Sequence, residues 1–258
     1  MNMPQQSLLP VYDHTPGAGP TLVFLHYWGG SARTWDLVVD RLAGRDTLTM
    51  DFRGWSRSSS LPGPYTLSQL ADDTLAVIAD AGVTDYVLVG HSMGGKIAQL
   101  IAAARPAALR GIVLVGSAPA KPAVEITPEY RTGLSHAYDS DESVADARDH
   151  ILTATELPES VKARIATDSR AGADAARTEW PLHGIAKDIC EQTCMISVPA
   201  LVIAGENDRV EPVGVLVSNL VPYLSGADVM VIANTGHLIP LEAPAALVDA
   251  ITGFAPTT

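Results

Sequence analysis

From about residue 20 onward, short runs of β-branched and aliphatic residues alternate with stretches in which apolar residues return at helical spacing. The runs at 21–25, 47–50, 86–90, 111–116, 200–204 and 229–233 predict six strands. They are apolar almost throughout rather than alternating, the pattern of parallel strands covered on both faces. Amphipathic segments beginning near Ala32, Leu67, Met93, Val213 and Pro244 predict the intervening helices, several with Ser, Thr or Asp close before the start. This alternation predicts an α/β domain with a mostly parallel central sheet and helices on both faces.

One interval breaks the rhythm. Residues 117–193 contain no convincing strand, but charged and Ala-rich segments at 141–155 and 158–168. The interval is too long for a plain connection, and reads as a helical insertion, either a lid or a small subdomain. The expected organisation is one domain overall, with a core from residues 1–116 and 194–258 and a helical cap from 117–193. Few residues precede the first strong strand, so any N-terminal hairpin is expected to be short.

Composition narrows the partners. The 258 residues carry 17 basic and 29 acidic side chains, a net charge of −12, which argues against a nucleic-acid backbone or an anionic membrane surface. Hydrophobic residues make up 47% of the chain, yet no run approaches the roughly 20 apolar residues of a membrane span. Residues 1–10 lack a basic segment followed by an apolar core, so no secretory leader and a cytoplasmic location are expected. The two cysteines, Cys190 and Cys194, have neither zinc-ribbon nor redox spacing, and the seven histidines form no H-E-x-x-H or H-x-H cluster. No metal is expected.

The candidate chemistry lies at the ends of the predicted strands. Gly90-His91-Ser92-Met93-Gly94-Gly95 joins an apolar strand directly to a helix start, and the flanking glycines suit a turn too tight for a Cβ. Such an elbow lifts a serine hydroxyl clear of the sheet. A serine needs a base, and the base needs a third group to hold its tautomer. His237, in Asn234-Thr235-Gly236-His237-Leu238, follows the last strand and suits the base. His14 is near the N-terminus, His136, His150 and His183 lie in the insertion, and His91 belongs to the elbow. Asp208, in Gly205-Glu206-Asn207-Asp208, follows the strand before it and suits the acid. Glu206 is its nearest rival, and the preceding strand end offers no acid before Glu125.

A tetrahedral intermediate also needs N–H donors aimed at its negative charge. One expected donor is the Met93 amide, at a helix N-terminus. The other is the Trp28 amide, with Tyr27 as the alternative, in the loop His26-Tyr27-Trp28-Gly29-Gly30. His26 is expected to orient that loop.

Together with Asp51-Phe52-Arg53-Gly54-Trp55-Ser56-Arg57-Ser58, these motifs resemble the α/β-hydrolase superfamily over nearly the whole chain. Within it the chain is most similar to the small group containing arylesterases, non-haem haloperoxidase-like hydrolases and enol-lactone hydrolases. That resemblance implies an α/β-hydrolase fold, a helical cap at the insertion, no cofactor, and hydrolysis of a small carboxylic ester or lactone through an acyl-enzyme on Ser92, His237 and Asp208. Carbon–carbon bond hydrolysis, perhydrolysis or haloperoxidase-like activity and acyl transfer stay open on the same triad, as does a ligand-sensing role. A serine at position 92 argues against haloalkane dehalogenase and epoxide hydrolase chemistry, which in this superfamily use aspartate. The expected pocket lining is His26, Trp28, Met93, Val210 and Leu238, with Tyr130, Tyr138 and Trp180 from the cap. Two positions depart from the family pattern: Tyr27 and Ser56 stand where glycine is usual.

Overall fold

A computed structural model of the protein describes residues 9–255. The expectation for residues 1–10 therefore falls, for residues 1–8, outside the described residues. The strands are β1 (Tyr12–Thr15), β2 (Ala18–Leu25), β3 (Arg45–Met50), β4 (Tyr86–His91), β5 (Leu109–Val115), β6 (Ala200–Gly205) and β7 (Asp228–Ile232). They form one sheet in the order β1-β3-β2-β4-β5-β6-β7. Every pairing is parallel except that of β1 with β3.

All six expected strands are present within three residues of their expected ends. β1 was not expected as a separate strand. Its sequence Tyr-Asp-His-Thr has no apolar run, because it sits at the sheet edge with alternating half-buried and exposed positions. Among the described residues there is no N-terminal hairpin either, since β1 pairs with β3 rather than with β2.

The helices are α1 (Asp36–Val39), α2 (Leu67–Asp80), α3 (Met93–Ala103), α4 (Pro128–Leu134), α5 (Asp141–Ala147), α6 (Glu159–Arg170), α7 (Asp174–Glu179), α8 (Cys190–Thr193), α9 (Val213–Asn219), α10 (Ile239–Glu242) and α11 (Pro244–Phe254). The segment expected to start at Ala32 opens as a 3₁₀ turn, Ala32–Trp35, before α1. The period-2 geometry of the strands divides the core in two. On β2, Val23 and Leu25 join a cluster with Ile97 and Ile101 of α3 and Val77 of α2. Leu22 and Phe24 face the other way, into a cluster with Val38 of α1 and Leu247 and Ile251 of α11. Both faces of the sheet are thus covered by helices.

Between β5 and β6 the described structure is helical, from α4 to α8, with π-helical turns at Arg148–Leu152 and Trp180–Gly184. No helix among the described residues is long and apolar enough to cross a membrane.

The sheet order sets where the loops at the strand ends part. After β2 the chain adds β3 on one side, then crosses back to add β4 on the other. The loops leaving the carboxyl ends of β2 and β4 diverge at this switch point, where open α/β sheets leave room for a ligand. The first of these loops is His26 to Ser31 and the second is the Ser92 elbow.

Candidate active site

Ser92 occupies the junction of β4 and α3 with φ 53° and ψ −115°. A non-glycine residue there is strained by about 1–3 kcal/mol, and its surroundings must hold it. Backbone bonds do so: the Ser92 amide donates to the Val115 carbonyl at 3.0 Å, and its carbonyl accepts from Gly95 and Ala118 at 2.9 and 3.1 Å. The glycines are sterically required. A Cβ on Gly90 would lie 2.4 Å from the Gly94 carbonyl oxygen, and one on Gly94 would lie 2.4 Å from that of Leu25. The elbow is therefore pressed against the end of β2, beside the loop that begins at His26.

His237 reaches the same place from the loop between β7 and α10. The amides of His237 and Leu238 both donate to the Leu152 carbonyl, at 2.9 and 3.0 Å, so the π turn of the helical interval anchors this loop. His237 Nδ1 lies 2.8 Å from Asp208 Oδ2, with both side chains almost fully buried. An ionised carboxylate can only accept, so Nδ1 carries the proton and Nε2 is left as the acceptor. Asp208 Oδ1 accepts from the amides of Val210 and Glu211 at 2.8 and 2.9 Å. Burial pushes the Asp208 carboxyl up, but His237 and these two amides outweigh it and hold the group below the usual carboxylate range. Glu206, the rival acid, is committed elsewhere and accepts from the Asn234 amide at 2.8 Å.

Two further histidines brace the site. His91 Nε2–H donates to the His237 carbonyl at 2.8 Å, and the two rings lie 5.1 Å apart. Burial, with the neighbouring His237, lowers its pKa to about 3. His26 Nδ1–H donates to the Tyr27 carbonyl at 2.7 Å, while its Nε2 accepts from the Phe52 amide at 3.0 Å. That ring is fully buried and holds the start of its loop on the Asp51–Phe52 segment. Asp51 extends the brace by accepting from the Ala32 amide at 2.7 Å, and Arg53 pairs bidentately with Asp73 at 2.6 and 2.7 Å.

The loop after β2 is also clamped from the helical interval. The Tyr138 hydroxyl donates to the Trp28 carbonyl at 3.0 Å, and Ser169 Oγ donates to the Gly29 carbonyl at 3.0 Å. The Trp28 indole N–H donates to the Arg177 carbonyl at 2.9 Å. Ser31 Oγ donates to Asp168 at 2.7 Å, and Arg33 forms an ion pair with the same carboxylate. The amides of Trp28 and Met93 donate to no group among the described residues, which leaves both free to meet a ligand.

Ser92, His237, Tyr27 and Trp28 line one cavity of about 490 Å³. Tyr130, Tyr138, Trp180 and Val210 line it too. His26 and Leu238 do not. His26 is held beneath the loop by the two bonds above, and Leu238 is fully buried in the core behind the Leu152 contact. The Met93 side chain also packs into the core, leaving only its amide toward the elbow. The structure adds Leu134, Ala137, Ile151 and Glu211 to the wall. The first three lie on short helical turns of the interval and had no local signal. Glu211 was detectable only as an acid three residues beyond Asp208.

The departures from glycine have physical accounts. Ser56 has φ 45°, a conformation that glycine adopts freely. Tyr27 is not among the positive-φ residues, and its ring is buried 5.2 Å from that of His91. Gly30 makes room for it, since a Cβ there would lie 2.7 Å from the Tyr27 ring. Among the described residues no group of three or more His, Cys, Asp or Glu side chains is placed to hold a metal ion.

Comparison with known proteins places this geometry. An esterase from Exiguobacterium antarcticum superposes with a TM-score of 0.85 at 21% identity, covering 94% of each chain. The enol-lactonase from Burkholderia xenovorans LB400 gives 0.83 at 22% identity over 95% of each. These likenesses show the fold. In sequence, the pimeloyl-[acyl-carrier protein] methyl ester esterase of Yersinia pseudotuberculosis is 33% identical over 137 residues, 51% of either chain, so the chain spans about half the length of the relatives it matches. Residues 22–250, from β2 through most of α11, match the alpha/beta hydrolase family, and the chain belongs to that family.

Proposed function

We propose that the protein hydrolyses a small carboxylic ester or lactone, with Ser92 as nucleophile, His237 as base and Asp208 as the group that holds His237. The observation that carries this reading is the buried 2.8 Å His237–Asp208 pair on the same cavity as the strained Ser92. Ser92 Oγ attacks the ester carbonyl carbon while His237 Nε2 takes its proton, and Asp208 stabilises the imidazolium. The oxyanion is met by the amides of Met93 and Trp28. Collapse expels the alcohol, which takes the proton from His237. Water, deprotonated by the same nitrogen, then attacks the acyl-enzyme, and the acid leaves as Ser92 recovers its proton. Residues 117–193 act as the cap that closes the cavity over the substrate.

Relatives that act on esters and lactones, such as the esterases and the enol-lactonase above, support the substrate class. The test is turnover of p-nitrophenyl acetate and butyrate by wild type and Ser92→Ala. The variant should lose at least about a thousandfold in kcat while melting at the wild-type temperature. Near-wild-type turnover by a folded Ser92→Ala protein would overturn the reading.

A further inference from the structure

Glu211 stands in the cavity wall and is not used by the chemistry above. It is 6% exposed and lines the same cavity as Ser92 and His237. Its backbone amide is tied to Asp208 Oδ1 at 2.9 Å, which fixes residue 211 relative to the Asp208–His237 pair. Its carboxyl, by contrast, hydrogen-bonds to no group among the described residues. Apart from His237, the other His and acidic side chains of the wall, His136 and Asp146, are mostly in solvent, and among the described residues no lysine or arginine lines the cavity. The remaining wall is largely aromatic and aliphatic.

A buried carboxyl beside an ionised one cannot readily keep its own charge. Burial and the negative Asp208 both push the Glu211 pKa well up. Lys96, buried on α3 with Nζ 3.5 Å from the Ile185 carbonyl, relieves this only in part and forms no ion pair with Glu211. Burial and the Asp208 charge both favour the neutral form, and in that form the carboxyl presents to the cavity an O–H donor with no acceptor among the described residues.

We propose that Glu211 is the specificity residue of this site, donating a hydrogen bond to a second carbonyl oxygen of the substrate, so that the preferred substrates are oxo esters rather than plain alkyl esters. The proposal rests on the hydrolase reading for turnover, but not for binding. A site built around a polar partner rejects an analogue that lacks it, because the buried group is then left unpaired.

The test compares ethyl 3-, 4- and 5-oxohexanoate with ethyl hexanoate, and 2-oxopropyl acetate with propyl acetate. Because the keto group alters intrinsic reactivity, the readout is the change in the oxo-to-plain ratio of kcat/KM between wild type, Glu211→Gln and Glu211→Met. At least one oxo ester should lose about tenfold or more of its advantage in Glu211→Met and keep it within about threefold in Glu211→Gln, which retains a neutral donor. Calorimetric binding of the same esters to Ser92→Ala and to Ser92→Ala/Glu211→Met should show the same dependence. If no ester is turned over by wild type but this binding ratio still depends on Glu211, the hydrolase reading fails and the recognition stands. Thermal melting separates a merely structural role: relieved of an unpartnered acid, Glu211→Met should melt no lower than wild type. Ratios unchanged in Glu211→Met, or lost equally in Glu211→Gln, would overturn the proposal.

Discussion

Trp28 and Tyr138 lie face to face, ring centroids 4.1 Å apart at 27°, and the Tyr138 hydroxyl donates to the Trp28 carbonyl. A residue of the helical interval thus sets the orientation of the loop that carries one proposed oxyanion donor. Tyr138→Phe keeps the stack and removes the bond. With about 1 kcal/mol of positioning at stake, kcat should fall roughly fivefold. KM for a small acetate ester should stay near its wild-type value. A lower melting temperature with unchanged kcat would show that the contact serves stability alone.

The contact of Gly94 with β2 makes a sharper expectation. Gly94→Ala would drive a methyl group to 2.4 Å from the Leu25 carbonyl oxygen, a backbone atom that cannot step aside without moving the loop at His26. The variant should lose about 3 kcal/mol or more in a urea titration, as overpacked cores do. Wild-type stability in that variant would mean that the elbow is looser than its geometry implies.

Ser56 offers the opposite change. At φ 45° it carries backbone strain that glycine lacks, and it touches neither the cavity nor the His237–Asp208 pair. Ser56→Gly should therefore raise stability by about 0.5–1 kcal/mol, net of the added unfolded-chain entropy, and leave turnover intact. A drop in melting temperature would contradict the strain account.

Acid should destabilise the fold before most carboxylates titrate. His91 is buried and neutral with its pKa lowered to about 3, and burial also lowers that of His26. Unfolded histidines take up protons below about pH 6.5. Between there and the lowered folded values the unfolded state binds more protons, so stability falls as pH falls. Each histidine contributes up to about 1.4 kcal/mol per pH unit. Glu211, whose folded pKa burial raises, has the opposite slope and offsets about one histidine, so the measurement uses Glu211→Gln, in which urea midpoints should decline from pH 6.5 to 4.5; a constant midpoint there would rule this out.

The parts legible in the sequence were those set by local sterics. The apolar runs of β2 to β7 are continuous because both faces are covered, and the glycines at 90 and 94 mark a turn that admits no Cβ. β1 stayed hidden because an edge strand needs no apolar run. His26, at the end of β2, and Leu238, just before α10, were expected in the pocket because each adjoins a site residue in sequence, yet one residue either way along a loop decides whether a side chain meets the cavity or the core.

Strand ends alone determined that Ser92, Asp208 and His237 belong to one edge of a parallel sheet, since chain direction and β-strand geometry bring those ends together whatever the side chains elsewhere. The tertiary structure decided the contents of the cavity. Its walls are assembled from helices far apart in sequence, so the stack of Tyr138 on Trp28, the grip of the Leu152 carbonyl on the His237 loop and the unpartnered acid of Glu211 exist only once those helices pack.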